Sequence, residues 1–265
     1  MKAHLFDMKG TKKKEIDLPE VFNTKIREDI VQKYYEASKF ESIHPYAPYK
    51  EAGKRHSASG TISHRRHEWK GHYGKGISRI PRKAMWRRGT QFMWIGAEVA
   101  STRGGRRAHP PKVFNRRERK INEKEMKIAM YSAIASTANE NYIKQRYSTL
   151  DKVNQKFPIV VEYQHVAKAK ELINLMRILL GDMFNLALKQ KSVRAGKGKL
   201  RGRKYKSNAG ILLIKSPSEK LKMKGIDIRS SDEIKISDFY PLGRLTIYTE
   251  KALLEIGGKK WYSNQ

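Results

Sequence analysis

His64 and His67 stand three residues apart with His72 close behind, a spacing that can turn two imidazoles toward one metal ion. Their surroundings oppose that chemistry. The chain contains no cysteine, Glu68 is the one acid nearby, and Arg65, Arg66 and Lys70 would repel a cation. No metal is assigned, and these histidines read instead as hydrogen-bonding or stacking groups for a nucleic acid, or as solvated side chains. A second candidate is Gly196-Lys-Gly-Lys-Leu-Arg-Gly-Arg-Lys-Tyr205, which has the glycine content of a phosphate loop. It lacks the Gly-x-x-x-x-Gly-Lys-Ser/Thr spacing, no strand is read as running directly into it, and its cations outnumber what one nucleotide could use. Glycine alternating with Arg or Lys lets a backbone approach a sugar-phosphate chain while each cation reaches a different phosphate. For acid-base catalysis the carboxylates are badly placed: Glu123-Lys-Glu125 and Asp232-Glu233 read as solvated helix faces and caps. Neither a nucleophile elbow nor a dinucleotide-binding glycine fingerprint occurs. The expectation is a protein without catalytic residues, metal or cofactor.

The charge balance says what the cations are for. Lys and Arg number 57 against 26 Asp and Glu in 265 residues, a formal net charge of +31. A compact body with that charge repels itself unless a polyanion neutralises it, and nucleic acids and acidic membrane surfaces are the common polyanions. A membrane-surface protein would carry its cations on an amphipathic helix, whereas here they lie on Gly-rich segments. No apolar run approaches the ~18 residues of a membrane span. Without cysteine there are no disulfides and no thiol chemistry, so a soluble protein of a reducing, intracellular compartment is expected. From 44 to 120, 20 Lys or Arg face only Glu51, Glu68, Glu98 and Glu118, which puts more than half of the net charge on less than a third of the chain. This stretch holds Trp69, Tyr73, Trp86, Phe92 and Trp94, many glycines, and no sustained helical or alternating apolar period. It cannot fold a core alone and should order against a partner.

The flanks carry the periodicities of a folded domain. Residues 3–8 and 14–18 read as short strands around a Lys/Gly turn, and 19–38 as a helical stripe through Val21, Phe22, Ile26, Ile30, Val31, Tyr34 and Tyr35. Asn122 can cap a helix, with Glu125 three residues on. Residues 158–162, 210–214, 225–228 and 244–249 read as strands of the kind buried in parallel sheets. Helices are read over 167–180, with Leu172, Ile173, Leu175, Met176, Leu179 and Leu180 inward and Gly181 as the stop, and over 249–256. The fold class expected is α/β, a mostly parallel sheet flanked by helices and interrupted by a long extended basic loop. Residues 1–43 and 120–265 would form one α/β globular domain, and 44–119 the basic loop that penetrates RNA.

Four ordered strings carry a resemblance: 74–82 (Gly-Lys-Gly-Ile-Ser-Arg-Ile-Pro-Arg), 104–112 (Gly-Gly-Arg-Arg-Ala-His-Pro-Pro-Lys), 194–205 and 241–250 (Pro-Leu-Gly-Arg-Leu-Thr-Ile-Tyr-Thr-Glu). Together with Asp17-Leu-Pro-Glu-Val-Phe22, the chain closely resembles the family of large-subunit ribosomal protein four, in the form shared by archaea and eukaryotes. The short C-terminus favours the archaeal branch. The resemblance implies a cytoplasmic, non-enzymatic constituent of the large ribosomal subunit that binds its ribosomal RNA and acts early in assembly. Its loop tip would reach the polypeptide exit tunnel, beside neighbouring large-subunit proteins and the nascent peptide. Residues expected on RNA are Arg55, Arg65, Arg66, Lys70, Lys75, Arg79, Arg82, Lys83, Arg87, Arg88, Arg103, Arg106, Arg107, His109 and Lys112. A second RNA surface would comprise Arg194, Lys197, Lys199, Arg201, Arg203 and Lys204. The tip is assigned to His64, His67, Lys70, His72 and Tyr73, and Trp69, Trp86 and Trp94 either stack on unpaired bases or pin the loop in a local core. An RNA-processing enzyme on a doubly wound sheet is the alternative, and it would need a carboxylate or His cluster at the strand ends.

Overall fold

Strands that are apolar on both sides of the pleat must be covered on both faces, and three such stretches organise this chain. The computed structural model describes residues 1–58, 65–67, 73–115, 119–148, 155–163 and 169–258. In chain order its strands and helices are β1 (Lys2–Phe6), β2 (Lys12–Asp17), α1 (Glu28–Glu41), β3 (Arg82–Arg88), β4 (Gln91–Gly96), α2 (Glu123–Ser136), α3 (Glu140–Arg146), β5 (Ile159–Val161), α4 (Ala169–Leu180), α5 (Phe184–Ala187), β6 (Lys191–Val193), β7 (Tyr205–Ser207), β8 (Leu212–Lys215), β9 (Asp227–Ser230), α6 (Ile236–Phe239), β10 (Thr246–Thr249) and α7 (Glu250–Gly258). They fall into two compact units, Met1–Ser42 with Arg119–Gln265, and Ile43–Glu118.

The first unit is built on a six-stranded sheet ordered β2-β1-β5-β10-β8-β9, in which only the β1–β2 hairpin is antiparallel. The last strand of the chain, β10, lies at the centre between β5 and β8. Pleating sends successive side chains to opposite faces. Val160, Leu212, Ile214 and Tyr248 accordingly join one core, and Ile159, Val161, Ile211, Leu213 and Ile247 the other. Helices α1, α2, α6 and α7 cover the first face through Val31, Met130, Phe239 and Leu253. Helix α4 covers the second with Leu172, Leu175, Met176 and Leu179, spaced as one face of a helix, while Ile173 is only half-buried. The α/β architecture with a mostly parallel, helix-flanked sheet is the one expected.

Several details differ from the sequence reading for local reasons. The stripe over 19–38 is not one helix: after Pro19 a 3-10 turn, Glu20–Asn23, buries Val21 and Phe22, Thr24 is extended, and α1 starts at Glu28. Asn122 sits at the N-cap of α2, yet its side chain makes no capping hydrogen bond. The strand read over 225–228 lies two residues later, because Gly225 takes a φ of 95° in the turn before it. The helix start read at Ala167 lies outside the described residues. No period is legible between 44 and 120, but β3 and β4 pair there as an antiparallel hairpin, and β6 and β7 form another at the Gly-rich segment.

The string Pro241-Leu-Gly-Arg244 has a structural task. Gly243 has a φ of +80°, and a Cβ there would lie 2.1 Å from the Tyr142 carbonyl oxygen, so no larger residue fits this approach to α3. Arg244, only 4% exposed, donates from Nε to the Gly210 carbonyl (3.1 Å) and from Nη1 to that of Asp238 (2.7 Å). Its Nη2 donates to the Ala209 carbonyl (2.8 Å) and to Asp227 Oδ2 (2.5 Å). Lys189 Nζ occupies Asp227 Oδ1 at 2.5 Å. Burial pushes the Asp227 carboxyl upward, but hydrogen bonds and charge from Lys189 and Arg244 outweigh it and hold the group below its ordinary value. Arg244→Ala would orphan three carbonyls and one carboxylate oxygen, and denaturant unfolding should read a loss of ~3–5 kcal/mol. A depressed folded pKa means that Asp227 contributes fully above its unfolded value of ~3.9 and that the contribution vanishes as pH falls through the folded value. The stability gap between wild type and Asp227→Asn should therefore narrow on acidification from about pH 5 to about pH 2.

Candidate nucleic-acid interface

The Gly-rich segment is a hairpin rather than a loose loop. Strand β6 runs directly into it, which corrects the sequence reading, and pairs with β7 in the register Lys191↔Ser207, Ser192↔Lys206, Val193↔Tyr205. The ladder continues as Arg194 N–H donates to the Lys204 carbonyl (2.9 Å), and a 3-10 turn, Lys197–Arg201, closes the end. Because β6 and β7 are antiparallel, this is no phosphate loop between a parallel strand and a helix. Arg194, Lys197, Lys199, Arg201, Arg203 and Lys204 are thereby gathered on one projection, all exposed. Its base is fastened by Asn208, a residue the sequence reading did not single out. Asn208 Oδ1 accepts from Gln190 N–H (2.8 Å), and Nδ2 donates to the carbonyls of Leu186 (3.2 Å) and Leu188 (2.9 Å).

Within 43–118, β3 and β4 arrange a second group of cations. A register irregularity between Ala84 and Trp86 sets Arg87 beside Phe92 on one face, and Trp86 opposite Met93 on the other. The Arg87 guanidinium lies 5.3 Å from the Phe92 centroid, and its Nε donates to the Gly89 carbonyl. Arg82 donates to Ser78, and Arg79 lies over the Tyr73 ring. Arg103, Arg106, Arg107, His109 and Lys112 are exposed on the turns that follow β4. The three tryptophans separate. Trp86 is half exposed, with Nε1 donating to Met93 Sδ, whereas Trp94 is half-buried beside Phe92 at 6.1 Å, and Trp69 lies outside the described residues. Trp86 thus leaves ring surface exposed, and Trp94 serves the local packing. Of the tip residues, His67 is exposed and Tyr73 half-buried under Arg79; His64, Lys70 and His72 lie outside the described residues. Arg65 and Arg66 are exposed beside His67.

Some cations meet acids and others do not. In the α/β unit, Lys13 pairs with Glu162, Lys14 with Glu250, Lys33 with Glu125, Arg119 with Glu36 and Arg229 with Asp238. In 43–118, Arg55 pairs with Glu51 at 3.7 Å, but Lys75, Lys83, Arg88, Arg103, Arg106 and Arg107 make no ion pair among the described residues. Nor do Lys197, Lys199, Arg201 and Arg203 on the Gly-rich hairpin. Of the carboxylates that follow the parallel strands, Glu162 and Glu250 are engaged by lysines and Glu219 Oε2 accepts from the Ser216 N–H, while Glu255 in α7 accepts from the Ser216 and Ser231 hydroxyls. Among the described residues no three metal-ligating side chains cluster. The arrangement can neutralise a polyanion at several points.

Residues 16–259 match the model of the ribosomal protein L4/L1 family. The chain belongs to that family. It is 36% identical over 262 residues to the large ribosomal subunit protein uL4 of Thermoplasma acidophilum, covering 95% of this chain and 96% of that protein. The uL4 proteins of Nanoarchaeum equitans and Natronomonas pharaonis are each 33% identical, over 99% and 97% of this chain and 100% and 99% of their own lengths. The relatives are archaeal, as the sequence reading favoured, and the family is one of structural ribosomal proteins rather than enzymes. Within the family match, Asn208 makes the hairpin a defined projection. Asn208→Ala should leave the melting temperature nearly unchanged while accelerating amide hydrogen exchange across 191–207, measured by mass spectrometry. Equal exchange in the two proteins would show that the hairpin does not depend on this residue.

Proposed function

We propose that the protein is a structural constituent of the large ribosomal subunit, held by large-subunit ribosomal RNA through the Gly-rich hairpin and the cations of 55–112. The observation that carries this reading is the set of exposed Arg and Lys side chains that lack acidic partners among the described residues, in a chain of this family. Each phosphate neutralised releases condensed counterions, so affinity is gained without a deep pocket. Arg supplies planar, bidentate contacts and can stack on bases, while Lys acts as a mobile point charge. Bridging phosphates of separate helices suits early assembly, when RNA segments repel one another. Neighbouring large-subunit proteins are further partners, and the cytoplasmic ribosome is the location. No described helix is long and apolar enough to cross a membrane. The family resemblance also supports the loop around 64–75 as the part that meets the nascent peptide in the exit tunnel.

Binding of the full chain to large-subunit ribosomal RNA should weaken steeply with salt. Replacing Lys197, Lys199 and Arg201 with Ala should lower the slope of log affinity against log salt by ~0.7–0.9 for each phosphate that is no longer neutralised. A flat salt response would refute the electrostatic reading. Assembly tests the division of labour within the loop. Trimming residues 64–75, with Gly60 and Gly76 kept as joints, should leave large-subunit yield near normal and alter the response to stalling peptides, whereas Arg106→Ala with Arg107→Ala should depress yield. If the deletion blocks assembly as severely as the double substitution, the segment is an RNA anchor and not a tunnel tip.

A further inference from the structure

Residues 43–118 contain a cavity of about 510 Å³ that the cation pattern alone does not explain. Pro48 and Tyr49 contribute from one segment, and Pro110, Pro111 and Phe114 from another. The segments meet where Gly53, at a φ of +79°, lies against the Gly105–Arg106 peptide; a Cβ at 53 would stand 2.5 Å from the Arg106 nitrogen. The prolines fix their own φ angles and carry no N–H that would demand a partner, so the walls are set in advance. The volume falls in the range of small-ligand sites, ~300–1,000 Å³.

The lining has a definite chemistry. Tyr49 and Phe114 are 57% and 78% exposed, which is unusual for large rings and leaves aromatic surface to be covered. The Arg55 guanidinium sits 4.4 Å from the Tyr49 centroid, and Lys112 Nζ 5.4 Å from that of Phe114. Arg106 and Arg107 line the same cavity without an ion pair, and no acid lines it, among the described residues. Glu51, the nearest in sequence, is turned to the Tyr49 hydroxyl (3.2 Å) and Arg55. An apolar peptide would gain nothing from this cationic rim. A nucleotide matches both parts, because its base is a flat π surface and its phosphates are anions.

We infer that this cavity takes one unstacked nucleotide of the ribosomal RNA, its base against Phe114 and Tyr49 and its flanking phosphates on Arg106 and Arg107. The inference rests on the RNA-binding reading above and adds a base-receiving subsite to it. It makes Phe114 a binding residue that acts by stacking rather than by charge.

The test compares the wild-type full chain with Phe114→Ala and Phe114→Tyr on protein-free large-subunit ribosomal RNA. Affinity is measured across a salt series, and bases are probed with dimethyl sulfate and a carbodiimide, which together report on all four. Phe114 is so exposed that its truncation should not disturb the fold, and circular dichroism checks this. Phe114→Ala should bind about tenfold more weakly at an unchanged salt slope, in keeping with removal of one base stack. One nucleotide protected by wild type should regain reactivity, and Phe114→Tyr should restore both. If Phe114→Ala matches wild type in affinity and protections, no base enters the cavity, while a steep salt slope keeps the RNA-binding reading intact. A defect seen only on particles carrying neighbouring proteins would assign the cavity to a protein segment and overturn the inference. Failure of the wild-type chain to bind the RNA would overturn both readings.

Discussion

The buried guanidinium of Arg244 ties together segments that are remote in sequence and adjacent in function. It holds the carbonyls of Ala209 and Gly210, just after β7, and the carboxylate of Asp227 on β9. Through Asp227 it also holds Lys189, just before β6. Both stems of the Gly-rich hairpin are therefore clamped to the sheet by one charge network, with Asn208 fastening the same place from the backbone side. A lone buried cation would be prohibitive, and here each of the three guanidinium nitrogens has an acceptor, so desolvation is offset by hydrogen-bonding partners in a connected set. The projection that carries the exposed cations depends on this anchor, since its own side chains bury almost nothing.

Charge sets the second constraint. With a net +31, the α/β unit keeps its acids where they face lysines and arginines, as in Lys13–Glu162 and Lys14–Glu250 at the ends of the central strands. Exposed pairs of this kind contribute only ~0–1 kcal/mol each. Their consequence is more a matter of distribution: acids spread through the α/β unit engage part of its cations, whereas in 43–118 only four acids face 18 Lys or Arg.

What could be read from sequence followed from burial. Contiguous apolar runs such as Ile159–Val161 and the helical spacing of α4 have no alternative solvated reading, and the parallel sheet came from them. The β3–β4 and β6–β7 hairpins were illegible because their pairing is carried by backbone and by a few polar contacts. In β4, the sequence Gln91-Phe-Met-Trp-Ile95 is almost wholly apolar, so the alternation that half-buries Phe92 and Trp94 and exposes Met93 leaves no trace in composition. In β6 and β7 nearly every side chain is exposed, and nothing apolar marks the register. The cationic residues were found because their type alone identifies them. Their grouping, the separation of Trp86 from Trp94, and the role of Asn208 required coordinates.

That grouping alters the thermodynamics expected of the segments proposed to meet RNA. A structureless basic loop would lose ~1–2 kcal/mol of backbone entropy for each residue ordered on binding, enough to cancel many phosphate contacts. Here β3–β4 and β6–β7 already fix much of the backbone, and the Gly53–Gly105 approach fixes the segments around the apolar cavity. Less ordering is then left to the moment of association, and more of the counterion-release free energy appears as affinity. The absence of a large core in these segments is compatible with that economy, because hairpin ladders, cation–π contacts and glycine turns hold local shape while leaving the side chains free to meet phosphate and base.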